Sequence, residues 1–540
     1  MGAVTSRGGR VSAEANIPVS SFIPRRTAGV FLHLTSLPGD HGIGELGNAA
    51  FQFVDFLAAA GLGVWQFLPT GPTGYGNSPY QSSSVYAGNP LLIELRALHD
   101  RGLVTARELA VFTSLTRGSV DYPKLTPLKT QLLARAGGRF MTRAATKERQ
   151  ARDEFVAEHD TVWLHDFALF EVLKAMHQER AWSEWDRAYV LRDPDALRTL
   201  EEAAHLQIDT AKSLQFLFFE QWRELKTYAA SRGVRLMGDV PIYVALDSAD
   251  AWAHPELLNL DASGQPTEVA GVPPDYFSND GQLWGNPLYR WDRHAADGYQ
   301  WWISRLGHAV DMADYIRLDH FRGFEAYWAV PAGAESATSG EWRAGPGEAL
   351  FDALQSALGR LPIVAEDLGV ITAEVEDLRD RYGLPGMKVL QFLVSGEEFD
   401  PASIPPNCVC YTGTHDNDTT LGWYRGGGGD ARTEKDVEHT QANVLKHTHG
   451  TPVTIHEDLI KLAFSTSASL AIAPMQDYLG LDSSARMNMP GSSAEGNWRW
   501  RLRTEQLTQD LCETIRQMVI ESGRALCVDA KIEYAASDDY

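Results

Sequence analysis

A rhythm of short apolar runs alternating with amphipathic segments limits what this chain can become more than any other feature. Runs at 29–34, 63–68, 236–244, 315–319, 363–367, 388–392, 408–414 and 469–477 are β-branched or apolar and of strand length. Helix-like stretches such as 49–60, 301–313, 373–382 and 457–465 separate most of them. A parallel partner strand is reached only through a crossover, so strand alternating with helix builds a parallel sheet. Eight such units predict an α/β fold, a closed (β/α)8 TIM barrel.

The interval between 68 and 236 breaks the rhythm, with charged, helix-patterned stretches at 124–133, 154–177 and 196–229. Barrel loops accept insertions, so 72–234 is expected to be mostly an inserted helical subdomain. A second long loop, 245–297, is rich in Pro, Gly, Asn and aromatics and is expected as an insertion at the active face. The catalytic barrel is then expected over 28–532, with a flexible extension at 1–27 and a tail at 533–540. The extension carries Arg7, Arg10, Arg25 and Arg26 against one acid, Glu14, and no apolar stretch of signal-peptide length.

Charge narrows the partners. Lys and Arg number 48 against 71 Asp and Glu, a net charge of −23. That field repels phosphate backbones and anionic lipid, so neither nucleic acid nor a membrane is an expected partner. Of the four cysteines, Cys408, Cys410, Cys512 and Cys527, the first two lie two apart on a strand. They are expected to share a face and pack as small hydrophobes rather than bind metal. So few cysteines fit a reducing setting. The cytoplasm is expected, and the Arg- and Ser-bearing extension leaves the plastid stroma as the alternative.

The acids carry the functional signal. Asp319 ends the run Y-I-R-L-D-H-F-R-G, Glu366 and Asp367 end P-I-V-A-E-D-L-G, and His415, Asp416 and Asp418 end C-Y-T-G-T-H-D-N-D-T. In a barrel the strand ends converge on one face, where active sites are built. Alternation points Arg317 and Asp319 the same way, which suits an ionised nucleophile or electrostatic stabiliser. A second carboxyl group in a drier place would be raised in pKa and could donate a proton. One ionised and one protonated carboxyl is the equipment for cleaving a glycosidic bond. A metal centre is the weaker reading, because His320 and His415 show no ligand spacing and the chemistry needs no cofactor.

Aromatics fill the loops on the same face: Tyr75, Tyr80 and Tyr86 after the second run, Tyr276, Phe277, Trp284 and Tyr289 after the third, then Trp328 and Trp423. Interleaved with Asn, Gln, Asp and Gly, they imply a surface that stacks sugar rings and hydrogen-bonds their hydroxyls. The expected ligand is an uncharged sugar polymer.

These motifs resemble the 4-α-glucanotransferases, the amylomaltase or disproportionating enzymes of glycoside hydrolase family 77, from about residue 29 to 530. The marks are H-L-T-S-L-P-G-x-x-G-I-G-E-L-G from His33, S-P-Y-Q-S from Ser78, G-V-P-P-D-Y-F-S from Gly271 and G-Q-L-W-G-N-P-L-Y from Gly281. R-L-D-H-F-R-G, A-E-D-L-G, T-H-D-N-D, R-M-N-M-P-G from Arg486 and N-W-R-W-R from Asn497 complete them. The resemblance implies Asp319 as nucleophile, Glu366 as general acid/base and Asp416 as transition-state stabiliser. It also implies Arg317 orienting the nucleophile, His415 contacting the sugar, Asp239 supporting the site, and Tyr80 and Trp284 in the glucan groove. The implied substrates are maltooligosaccharides and α-1,4-glucans, and the implied reaction is retaining transfer to a 4-hydroxyl. An α-amylase-like hydrolase and a glucan-binding protein without turnover are the competing readings.

Overall fold

The structure is a computed structural model that describes residues 23, 26–274, 280–396, 398–427, 432–491 and 496–526. Its strands are β1 (Thr27–Phe31), β2 (Val64–Gln66), β3 (Arg235–Val240), β4 (Glu268–Val272), β5 (Gln282–Pro287) and β6 (Tyr315–Leu318). They continue as β7 (Ala326–Pro331), β8 (Glu341–Ala344), β9 (Ile363–Ala365), β10 (Gly386–Val389), β11 (Cys408–Tyr411) and β12 (Leu470–Pro474). Eight of these form one parallel sheet in the order β10-β11-β12-β1-β2-β3-β6-β9. Each falls on one of the eight predicted runs, with β10 starting at Gly386 rather than at 388.

Alternation sorts the strand residues onto two faces. Phe31, Val64, Met237, Val364, Met387, Val389, Val409, Tyr411, Leu470 and Ile472 form one cluster that fills the barrel interior. Their neighbours Val30, Trp65, Leu236, Ile316, Ile363, Cys408, Cys410 and Ala471 belong to a larger cluster shared with the surrounding helices. Cys408 and Cys410 are buried there as free thiols, on one face as expected.

The sheet is nearly closed between β9 and β10. The Ala365 N–H donates to Pro385 O at 2.8 Å, but no ladder follows. Instead the Asp367 carboxylate takes the Met387 N–H at 2.6 Å and pairs with Arg379 at 2.5 Å. A Cβ on Gly386 would lie 2.4 Å from Asp367 Oδ2, so the clasp needs glycine opposite it. Asp367 therefore works on the barrel seam while its neighbour Glu366 faces the site.

Between β2 and β3 the chain runs mostly through helices, among them Tyr122–Arg143, Thr146–His159, His165–Met176 and His205–Ser231. The last of these has two jobs. Its first half packs against Tyr122–Arg143, where Phe216 meets Phe140 at 5.7 Å. Its second half stands in the barrel's helix layer, with Trp222 Nε1 donating to Met312 O at 3.1 Å and Tyr228 bonding Asp55 at 2.8 Å.

The long loop expected at 245–297 holds more order than its sequence suggests. Strands β4 and β5 form an antiparallel hairpin, and β4 also pairs with β7, giving a four-stranded sheet β5-β4-β7-β8. The extension expected at 1–27 lies largely outside the described residues, as does the tail at 533–540. Arg26, however, donates to Phe464 O at 2.8 Å and to Thr466 O at 2.7 Å, and Thr27 already pairs in β1. Both residues lie within the range expected as extension.

Candidate active site

The C-terminal ends of β3, β6, β9 and β11 bring the predicted acids together around one buried arginine. Arg317 Nη1 donates to both oxygens of Asp239, at 2.9 and 2.7 Å. Its Nη2 lies 2.7 Å from Asp319 Oδ1. The two-residue spacing on β6 produces this contact by pointing both side chains inward. The Tyr80 hydroxyl donates to Asp239 Oδ2 at 2.7 Å, so Asp239 is wholly engaged by its neighbours. Its side chain has 0% exposure.

Glu366 is held differently. Its Oε2 accepts the His320 N–H and its Oε1 the Leu368 N–H, both at 2.8 Å. Burial, reinforced by the Asp319 charge and opposed by Arg317, pushes its carboxyl up to about 7. Asp239 is likewise raised to about 7, by burial and by Asp319 against Arg317. Geometry separates the two acids. Asp239 is sealed under Arg317 and Tyr80, whereas Glu366 keeps an open side.

His320 supplies its N–H from a left-handed backbone, φ 49° and ψ 51°, uncommon for a residue with a side chain. Strain of this kind collects at functional sites. Burial pushes the His320 imidazole down to about 4, and the buried His415 ring is also lowered. Both rings are therefore neutral near pH 7 and can donate or accept a hydrogen bond.

Asp416 stands on the β11 loop with its side chain 45% exposed and its Oδ1 3.4 Å from His415 Nε2. The residues that fix it were absent from the predicted site. Asn488 Nδ2 donates to Asp416 Oδ1 at 2.6 Å, and Arg486 Nη2 donates to Asp416 O at 2.6 Å. The loop's base is pinned by buried Asp477, which accepts from Thr412 Oγ1 at 2.6 Å and from Thr420 N and Oγ1 at 2.7 Å each. Arg486 and Asn488 stand in the R-M-N-M-P-G motif, which was the available signal, but a linear motif does not disclose its partner.

The aromatic surface is smaller than the sequence suggests. Tyr80 stacks on His415 with centroids 5.2 Å apart, and Trp284 on β5 meets His320 edge to face at 4.8 Å. Tyr75 is 85% exposed. Tyr86, Tyr289 and Trp423 are instead buried core residues, and Trp328 lies in the small sheet with its Nε1 on Ala337 O at 2.8 Å. A ring in a loop can turn inward to bury its area, and these do so. Tyr276 and Phe277 lie outside the described residues. Among the described residues, no group of three or more His, Cys, Asp or Glu is placed to hold a metal ion, and no helix is long and apolar enough to cross a membrane.

This arrangement can be set beside known proteins. The sequence profile Glyco_hydro_77, 4-alpha-glucanotransferase, matches residues 32–508. A 4-alpha-glucanotransferase of Thermus thermophilus is 47% identical over 510 residues, covering 92% of this chain and 99% of that protein. A chloroplastic/amyloplastic 4-alpha-glucanotransferase of Arabidopsis thaliana is 42% identical over 490 residues, covering 90% and 83%. The structure of an amylomaltase from Streptococcus agalactiae in complex with acarbose superposes with a TM-score of 0.88 at 36% identity, covering 93% of this chain and 100% of that one. Match, coverage and barrel agree: the chain belongs to the 4-alpha-glucanotransferases of glycoside hydrolase family 77.

Proposed function

We propose that the chain moves an α-1,4-glucan segment from a donor to the 4-hydroxyl of an acceptor glucose or maltooligosaccharide, by a retaining double displacement. The observation that carries the reading is the pairing of two unlike carboxyl groups around Arg317. Asp319 lies in contact with the guanidinium, while Glu366 is drier and raised to about 7.

In the first half-reaction Glu366 protonates the glycosidic oxygen while Asp319 attacks the anomeric carbon, and a covalent glucosyl-enzyme forms. Asp416 stabilises the oxocarbenium-like charge between the two states. Glu366, now a base, takes the proton from the acceptor's 4-hydroxyl as that oxygen displaces Asp319. Arg317, fixed by Asp239, holds the nucleophile in line. Neutral His415 hydrogen-bonds the reacting sugar, and Tyr80 and Trp284 stack the glucan. No metal or organic cofactor takes part. Transfer prevails over hydrolysis where a sugar holds the acceptor position better than water does, and the ring surfaces of Tyr80 and Trp284 provide for that. Membership of a glucanotransferase family favours this over the hydrolase alternative. The buried thiols fit a reducing compartment, so we place the protein in the cytoplasm. The plastid stroma is the alternative, favoured by the printed location of the Arabidopsis relative.

Incubation with pure maltotriose tests the reading. Glucose plus a ladder of longer maltooligosaccharides, at constant reducing ends, is expected. Rising reducing ends with only shorter products would make the protein a hydrolase. Binding of the trisaccharide with no products from it or from longer maltooligosaccharides would leave a glucan-binding protein.

A further inference from the structure

Arg322 is a buried arginine that the mechanism does not use. Among the described residues it has no carboxylate within ion-pair distance. Its nearest acids, Glu325 and Glu374, act on it from beyond ion-pair distance. A guanidinium taken out of water with no carboxylate in contact is costly, so its position calls for a reason. Its contacts supply one. Nη1 donates to Val370 O, and the guanidinium carbon lies over the Trp342 ring, 3.9 Å from the centroid.

Those contacts join three parts of the catalytic face. Arg322 belongs to the turn Phe321–Phe324 that follows Asp319 and His320. Val370 lies on the loop that begins with Glu366, and Trp342 lies on β8 of the small sheet, where it meets Trp328 at 5.2 Å. Turn and loop are already laced inside the site, by Phe321 N–H to Glu366 O at 3.0 Å and His320 N–H to Glu366 Oε2 at 2.8 Å. The Arg322 bond is the outermost stitch of this series. It is also the one whose donor rests on an aromatic ring, Trp342.

We propose that Arg322 is a positioning residue that holds the Glu366 loop against the β6 turn, so that the N–H groups of His320 and Leu368 stay on the Glu366 carboxylate. Trp342 is its platform. The small sheet, beyond presenting Trp284, thereby braces the acid/base. This rests on Glu366 being the acid/base of the proposed reaction. The charged groups facing Glu366 are Arg317 and Asp319, and those near Arg322 are Glu325 and Glu374. None of them is altered by the variants below.

The two N–H groups favour the charged form of Glu366, so loosening them raises its pKa. Arg322→Met is therefore expected to lower kcat about 10-fold or more, with KM little changed. The high-pH limb of kcat/KM should move upward by about half a pH unit. Trp342→Ala should move both quantities the same way by less, Trp342→Phe should restore them, and Arg322→Lys should fall between. Parent and variants are compared on maltotriose disproportionation, well below the temperature at which each unfolds. If Arg322→Met does not fold, the Trp342 pair and Arg322→Lys carry the test. Activity that falls only with the folded fraction, the limb unmoved, would make Arg322 merely structural and overturn the proposal. A raised KM at unchanged kcat would overturn it too, by moving Arg322 to the glucan groove. Glu366→Gln separates the premises: if that variant keeps full activity the proposed acid/base is wrong, and if it is inactive while the limb stays fixed only the Arg322 role falls.

Discussion

At the scale of single residues, what separates the acids of this site is what each may still touch. Asp239 and Glu366 are pushed to about the same pKa by burial, yet Asp239 spends both oxygens on Arg317 and Tyr80. It can orient Arg317 but cannot reach a substrate. Asp319, touching the same guanidinium, retains 25% side-chain exposure and can attack. Asp319→Asn is accordingly expected to lower turnover by at least about 10⁴-fold while glucan affinity, read by calorimetry, stays largely intact. Retained turnover would remove Asp319 from the nucleophile's role. Asn488 makes a subtler case. Its 2.6 Å bond to Asp416 fixes a half-exposed carboxylate, the stabiliser in the proposed reaction. A hydrogen bond to a charged group is worth roughly 1.5–3 kcal/mol, so Asn488→Ala should lower kcat by about 10- to 100-fold. Steady-state rates on maltotriose would check this, and an unchanged kcat with a raised KM would show that Asn488 binds sugar instead.

At the scale of elements, the barrel was legible because its strands are buried on both faces. Runs such as Ile363–Ala365 and Leu470–Pro474 must be apolar wherever they pair, so the sequence signal survives without knowledge of the partner. The small sheet offers no such signal. In β5 the sequence Q-L-W-G-N-P carries Gly and Pro and reads as a loop, and its neighbour β4 pairs with β7 more than fifty residues downstream. The candidate site divides the same way. Acids at strand ends were visible from position alone, whereas Asn488 and Arg486 lie on a loop that only folding brings to Asp416. The β9–β10 seam is another contact invisible in sequence, and it can be tested. Asp367→Ala strips the Met387 N–H of its partner and takes from the partly buried Arg379 one of its two carboxylates, Asp380 remaining. Losing that hydrogen bond and one of two ion pairs should destabilise by about 2 kcal/mol, seen as a lower urea midpoint. Gly386→Ala, which drives a methyl group into the same carboxylate, should weaken the barrel in the same direction. A midpoint unmoved by both would mean that the seam is held elsewhere.

At the scale of the whole molecule, the two raised acids of the site work against stability at neutral pH, and the sign can be derived. Glu366 is raised from 4.5 to about 7, and Asp239 from 3.8 to about 7. Between those ordinary values and about 7, the folded chain keeps protons that the unfolded chain has released. Stability therefore falls as pH rises through this window, and the loss is complete above about 7. The two acids share Arg317 and Asp319, so they titrate as a coupled set rather than one by one. Glu366→Gln replaces the acid with a neutral amide of the same shape, which has no proton to lose. Its calorimetric stability should fall less than that of the parent between pH 5 and pH 8. The difference in that fall should be on the order of 2 kcal/mol, while glucan transfer is lost. Because the amide nitrogen meets one of the two N–H donors, the slopes and not the absolute stabilities are compared. Other raised acids, Asp250 and Glu171 among them, titrate in both proteins and cancel in the comparison. Parallel stability curves would mean that Glu366 is already ionised in the resting fold, and the proton for the leaving sugar would then have to come from another group.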